Sequence, residues 1–337
     1  MSENTSRQRW YDVLWHVAEL VVIVWGWYGF IGARWLGGAL PMGQEYPRNM
    51  HSLFFWENVQ VCGSCAYWAD VMGGYPVFAD PFGSFFHPLA MFLTLGYGAV
   101  KGSALTVAAS FLLIALAAWW LGLLLRLHPI ARLWYVGIAM LGGHMGARLE
   151  LGSVGMPLAT AAAWLAFVAL YAFVRTPSRW SATASGAALG MLWISGQGYF
   201  QLGIALVIPL FGVYTWYYGW WEDNRGAKLL LTIWCGLLSI AIAAPLIVNL
   251  VAYNGIFSKD YDLEFSFAQP IERALLNMVV GTFDVAKTTA LNPFAFAWAY
   301  STYIGLMSLL LAVVTPFVVK DQFHRRFVWL LGACALL

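Results

Sequence analysis

The sequence predicts an all-α, polytopic membrane protein, and three observations carry that prediction. Charged residues make up only 10% of the 337 positions and hydrophobic ones 61%, whereas a soluble domain carries about 25% charged residues. Apolar runs of membrane length, roughly 20 residues each, recur along the whole chain. The 19 Trp and 16 Tyr gather near the ends of those runs, as at Trp10 and Trp15, Trp119 and Trp120, and Trp216, Tyr217, Tyr218, Trp220 and Trp221. Amphipathic rings settle at headgroup level, so this placement marks the membrane surfaces. A net charge of +2 without basic amphipathic patches excludes nucleic acid as a partner.

Taken in order, the punctuation by Pro, Gly and charge predicts helices over 13–32, 103–126, 133–146, 155–174, 183–196, 199–221, 228–251, 300–319 and 326–337. The whole chain, 1–337, then reads as a single transmembrane domain of about nine spans. The first apolar run outlasts a signal-peptide core and no small-residue cleavage site follows it, so 13–32 is a retained helix. The chain stops inside the apolar run Phe327–Leu337, which implies that further sequence follows. Two long segments interrupt the helices: 33–102, rich in Gly, Pro, aromatics and acids, and 252–299, polar and acidic. Within the first, the apolar stretch 88–100 is too short to span and is expected to lie at the interface.

Basic residues set the orientation. With the N-terminus cytoplasmic, the inner segments hold Arg7, Arg9, Arg126, Arg132, Arg175, Arg179, Arg225, Lys228, Lys320, Arg325 and Arg326. Both long segments then face outward, carrying most of the acids. The expected location is a bacterial inner membrane, crossed many times, with the bilayer itself as a partner.

The first outward segment concentrates the chemistry-bearing residues. Carboxylates stand beside aromatics in Phe54-Phe-Trp-Glu57 and in Tyr67-Trp-Ala-Asp70, and again around Asp80 and His87. At headgroup level a carboxylate can act as a general base or hold a divalent metal against a phosphate. The plainer reading is that Asp70 and Asp80 cap turns and interfacial helices. His144 and Arg148 fall an i, i+4 pair apart if 144–150 is helical, with Glu150 beside them. Arg148 would clamp a phosphate, or else Arg148 and Glu150 pair with loop residues. Ser195-Gly-Gln-Gly-Tyr-Phe-Gln201 reads either as a helix break facing a cavity, with Gln197 and Gln201 hydrogen-bonding a sugar, or as a plain turn. Glu19 lies inside the first helix, where an acid is a functional candidate or is paired, His16 being the nearby partner. Cys62 and Cys65 can form a local disulfide in an oxidising compartment, and no metal site is expected.

The string Trp68-Ala-Asp-Val-Met-Gly-Gly-Tyr-Pro-Val-Phe-Ala-Asp-Pro81, with the His87-Pro88-Leu89 helix start, resembles the first extracytoplasmic loop of YfhO-type bacterial membrane proteins. Gly143-His144 with Met156-Pro157-Leu158, and Tyr303-Ile-Gly-Leu-Met-Ser-Leu-Leu-Leu-Ala312, resemble later motifs of that family in the expected order. These proteins are placed with the GT-C glycosyltransferases. The resemblance implies a GT-C-like transmembrane helix bundle whose long first extracytoplasmic loop carries interfacial helices. It also implies a polyprenyl-phosphate sugar as donor, an extracytoplasmic acceptor (lipid, glycan or protein), and a first-loop acid as general base. That base is usually an Asp soon after the first helix, and here the stretch reads Gln44-Glu45. Glu45 and Asp70 are therefore the catalytic candidates, and Asp80, His87, His144, Arg148, Glu150, Gln197 and Gln201 the substrate-binding ones. The alternatives are a non-catalytic membrane scaffold and a transporter or flippase of lipid-linked sugar.

Overall fold

The computed structural model describes residues 2–39, 46–63, 77–80, 82–143, 145–146, 149, 152–217 and 220–253, with isolated positions between 310 and 325. Among the described residues every regular element is helical and no strand occurs. Helix α1 runs Ser2–Trp27, passes a π-turn at Tyr28–Gly32 and closes with Ala33–Leu36. It is followed by α2 (Tyr46–Cys62), a single 3₁₀ turn (Val77–Ala79) and α3 (Pro88–Leu124). Then come α4 (Pro129–Leu141), α5 (Gly155–Arg175), α6 (Arg179–Trp193), α7 (Gly198–Tyr217) and α8 (Arg225–Ala252). Among the described residues, four segments are long and apolar enough to cross a membrane: Val13–Leu36, Pro88–Leu124, Gly155–Arg175 and Arg225–Ala252. The described residues thus form an all-α fold with the helices of a membrane protein.

Side-chain pairings fix the helix directions. Glu19 meets Trp119 and Trp27 meets the Ala108 carbonyl, so α1 and α3 run antiparallel. On α1, the Trp27 ring lies over Gly32, where a Cβ would come within 3.2 Å of it, and the wider π-turn ends there. Ser185 of α6 donates to the Ala169 carbonyl of α5 at 2.8 Å, closing a hairpin through Thr176–Ser178. Ser178 starts α6 with a reciprocal capping box to Ser181, which is why the helix begins at Arg179 rather than at 183.

Helices α6 and α8 run parallel, with Thr183 against Trp234, Gly186 against Cys235 and Gly190 against Ile242. A Cβ on Gly186 would stand 2.6 Å from the Cys235 carbonyl oxygen, so the two backbones touch. Without a hydrophobic drive between helices in lipid, such close backbone contact is what holds them together. The same logic fills the core around α3 and α5 with Ala104, Ala108, Ala115, Ala118, Ala161 and Ala166, all buried.

The apolar stretch 88–100 and the span after it form one 37-residue helix broken at Gly98. The expected gap before residue 103 is absent, and the bend comes earlier. Gly98 adopts φ 77°, ψ 166°, a conformation open almost only to glycine. The bend is sharp: a Cβ on Gly102 would lie 2.8 Å from the Thr94 Cα, so the arm 88–97 folds back on the shaft. Helix α2 brackets this break. Glu57 Oε2 accepts from the Ala99 N–H at 2.9 Å, and Gln60 Nε2 donates to the Leu95 carbonyl at 3.1 Å. One carboxylate and one carboxamide, a turn apart on α2, replace the backbone bonds that α3 loses.

The bundle thus has two ends. The near end, where α1 starts, holds the α3–α4, α5–α6 and α7–α8 connections. The far end holds α2, the segment 77–87, the α6–α7 turn and the end of α8.

Candidate functional site

At the far end the first-loop segment is pressed onto the helix ends. Trp56 of α2 donates Nε1–H to the Phe85 carbonyl at 2.7 Å. Phe55, Val77, Phe78 and Phe85 form a buried aromatic cluster, flanked by Trp56, Phe86 and Tyr253 at the end of α8. Phe55 and Phe85 sit 5.1 Å apart, and Phe78 meets Tyr253 edge-on at 5.4 Å. Phe86 also packs with Trp193 onto Ile194, Ala243 and Leu246, so the segment bridges α2 to α6 and α8.

The α6–α7 turn is built into the same junction. Gly196, at φ 79°, approaches the chain so closely that a Cβ would lie 2.7 Å from the Phe82 carbonyl oxygen. Gln197 follows in the left-handed region at φ 60° and is 7% exposed. A side-chain-bearing residue there costs roughly 1–2 kcal/mol. Its carboxamide makes no hydrogen bond to a described residue.

The remaining predicted residues at this junction hold its shape. Asp80 Oδ1 accepts from the Phe82 N–H at 2.8 Å, the turn-capping role. His87 caps α3, with Nδ1 accepting from the Leu89 N–H at 3.3 Å and Pro88 in the first turn. Burial pushes its imidazole down to about 4, so it is neutral at pH 7. Gln201 donates Nε2–H to the Trp193 carbonyl at 2.5 Å, tying α7 to the end of α6. Glu45, Asp70, His144, Arg148 and Glu150 lie outside the described residues. Cys62 is disulfide-bonded, and its partner likewise lies outside them.

A second polar cluster sits inside the bundle toward the near end. Glu19, 2% exposed, accepts on Oε1 from Arg132 Nη2 at 2.6 Å and Nε at 3.1 Å, and on Oε2 from Trp119 Nε1 at 2.9 Å. His16 stands at 3.5 Å from Oε2 and is a peripheral contact rather than the main partner. Room for the arginine stem comes from Gly122, where a Cβ would meet Arg132 Cγ at 2.6 Å. Sequence reasoning placed Arg132 among the loop cations and missed this pair. The signal was Pro129 three positions earlier, which starts α4 and carries Arg132 into its first turn.

Among the described residues, no three of His, Cys, Asp and Glu converge to hold a metal ion. No protein family, curated protein or solved structure was found to match the chain.

Proposed function

We propose that the chain is a membrane glycosyltransferase of the GT-C type, moving a sugar from a polyprenyl-phosphate donor to an extracytoplasmic acceptor. The observation that carries this reading is the far-end junction, where the described first-loop segments pack onto the helix ends. In this reading the junction's aromatic and polar groups meet the lipid headgroups. The sequence resemblance of the same loop supports it, and so does the charge pattern. Near-end positions Arg126, Arg175, Arg179, Arg225 and Lys228 favour a cytoplasmic near end, leaving the junction outside a bacterial inner membrane.

In this reading a first-loop carboxylate, Glu45 or Asp70, takes the proton of the acceptor hydroxyl. The freed oxygen attacks the anomeric carbon, the bond from that carbon to the phosphate oxygen breaks, and polyprenyl phosphate leaves. Arg148 steadies the charge that grows on the phosphate, with His144 and Glu150 beside it. Asp80, His87 and Gln201 keep the junction in shape. A divalent metal would supply further charge stabilisation on the phosphate.

The test is release of polyprenyl phosphate from a panel of polyprenyl-phosphate sugars by the protein in lipid nanodiscs. Release from one donor is expected, with a loss of at least ~100-fold in the Glu45→Gln/Asp70→Asn double variant. No release from any donor by folded protein would overturn the reading in favour of a carrier or scaffold.

A further inference from the structure

We infer that the open face of the α3 arm, with Lys101 and Arg34 beside it, is a docking surface for an anionic phospholipid. Its acyl chain lies against the arm and its phosphate on the two cations. The inference goes beyond the glycosyltransferase reading and does not rest on it.

The arm has one covered face and one open face. No charged residue occurs in 88–100, and Ala90 and Thr94 are buried where the arm folds back on the shaft at Gly102. On the other side Phe92 is 66% and Tyr97 56% exposed, and a Cβ on Gly96 between them would meet nothing within 4 Å. In water these rings would forfeit the free energy that transfer into hydrocarbon supplies. The depth of the arm in the membrane decides what covers them. Trp27 of α1 donates to the Ala108 carbonyl of α3, and the two helices run antiparallel. Seven residues on from Trp27 stands Arg34, and seven back from Ala108 stands Lys101, each about 10 Å farther toward the far end. Ala33–Leu36 packs on α3, so two exposed cations share one depth on adjoining helices. Arg34 lies at the end of the apolar segment Val13–Leu36 and Lys101 at the start of the shaft, the level of lipid phosphates.

Charge then selects the headgroup. Neither Arg34 nor Lys101 forms an ion pair with a described residue. Glu57, the acid on the neighbouring α2, is engaged on the Ala99 N–H instead. Lys101 Nζ rests over the Tyr97 ring at 5.3 Å, which holds the ammonium at the end of the open face. A phospholipid meets both features at once, with a chain for the apolar face and a phosphate for the cations. Two cations at one phosphate favour a headgroup without a positive group of its own, because choline or ethanolamine would bring a third cation beside them.

The experiment places the protein in phosphatidylcholine nanodiscs doped with a lipid that carries a photoreactive diazirine on one acyl chain. The doped lipid is phosphatidylglycerol in one arm and phosphatidylcholine in the other, and labelled residues are mapped by peptide mass spectrometry. Phosphatidylglycerol is expected to label the stretch around Phe92 and Gly96 several-fold more than phosphatidylcholine does. In Arg34→Gln/Lys101→Gln that label should fall by about fivefold for each cation removed, with label at the near end unchanged. The unfolding midpoint of the double variant in phosphatidylcholine alone should match wild type, since both side chains are exposed. Equal labelling of the arm by the two lipids would overturn the inference, and so would phosphatidylglycerol label retained by the double variant. A lower midpoint of the double variant in phosphatidylcholine alone would also overturn it, by showing that the cations serve the fold. Each of these results leaves the glycosyltransferase reading untouched, because sugar-lipid turnover is not measured.

Discussion

Glu19 and Arg132 show how a buried charge is tolerated in this bundle. Each carboxylate oxygen receives a donor, and the arginine reaches across Gly122 to provide two of them. Removing one member leaves the other charged and alone, so Glu19→Leu and Arg132→Met should each destabilise the protein by ~3–5 kcal/mol. The double variant should recover most of that loss, since a buried pair is weakly stabilising compared with apolar residues of similar size. Thermal unfolding of the three variants in one lipid composition measures the cycle, and additive losses would refute it. His87 gives a second prediction. Its folded-state imidazole is depressed to about 4 against an ordinary 6.5, so the unfolded chain binds the proton first as pH falls. Stability is therefore fully present above pH 6.5 and is lost as pH drops toward 4. His87→Asn keeps an N-capping side chain and should flatten that acid limb when unfolding midpoints are compared between pH 7 and pH 4.5.

At the scale of elements, the break in α3 and the seam between α6 and α8 make opposite demands on glycine. Gly98→Ala forces a side chain into a region open almost only to glycine and should cost ~1–3 kcal/mol. Glu57→Ala should cost a similar ~1–3 kcal/mol by stranding the Ala99 N–H, while Glu57→Gln retains an acceptor and should cost less. On the seam, Gly186→Ala meets a backbone carbonyl that cannot yield, and a loss of ~1–3 kcal/mol is expected. Gly236→Ala, on α8 with nothing within 4 Å, should instead stabilise by up to ~1 kcal/mol. A seam that accepts both substitutions equally would contradict the packing described.

These elements also show what could be read beforehand. Helices α5 and α8 matched expectation within a few residues, because Pro, Gly and charge punctuate an apolar chain by local chemistry alone. The turn cap at Asp80 was legible for the same reason, its bond spanning two positions. The partner of Glu19 was different. It lies 113 positions away, and a local reading can offer only a neighbour such as His16. The bracket of Glu57 and Gln60 was hidden likewise, because nothing in α2 itself says which backbone it will cap. Gly186 and Gly190, four apart on an apolar helix, were a legible signal of close helix packing that went unread.

The whole molecule is a bundle with distinct ends. The near end gathers basic side chains and ties its loops down locally. Trp220 donates to the Val174 carbonyl at 2.8 Å, and Lys228 both reaches the Trp220 carbonyl and covers its ring. With that end cytoplasmic, cysteines introduced at Arg126 and Asp223 should react with an impermeant maleimide only after cells are permeabilised. Cysteines at Asn58 and Val61 on α2 should react in intact cells. The reverse pattern would place the junction inside and remove the basis for an extracytoplasmic acceptor.

The bracketed break in α3 has a consequence for biosynthesis. Unbroken, a helix of 37 residues would reach ~55 Å, far beyond the ~30 Å of hydrocarbon. What divides it is the turn at Gly98, bracketed by a pair of side chains on α2, a segment that leaves the ribosome first. The groups that bracket the break in α3 are therefore already made when α3 is being translated. A circular permutation that delivered α2 after α3 would leave Gly98 to bend the long helix without the two side chains that receive its freed backbone groups.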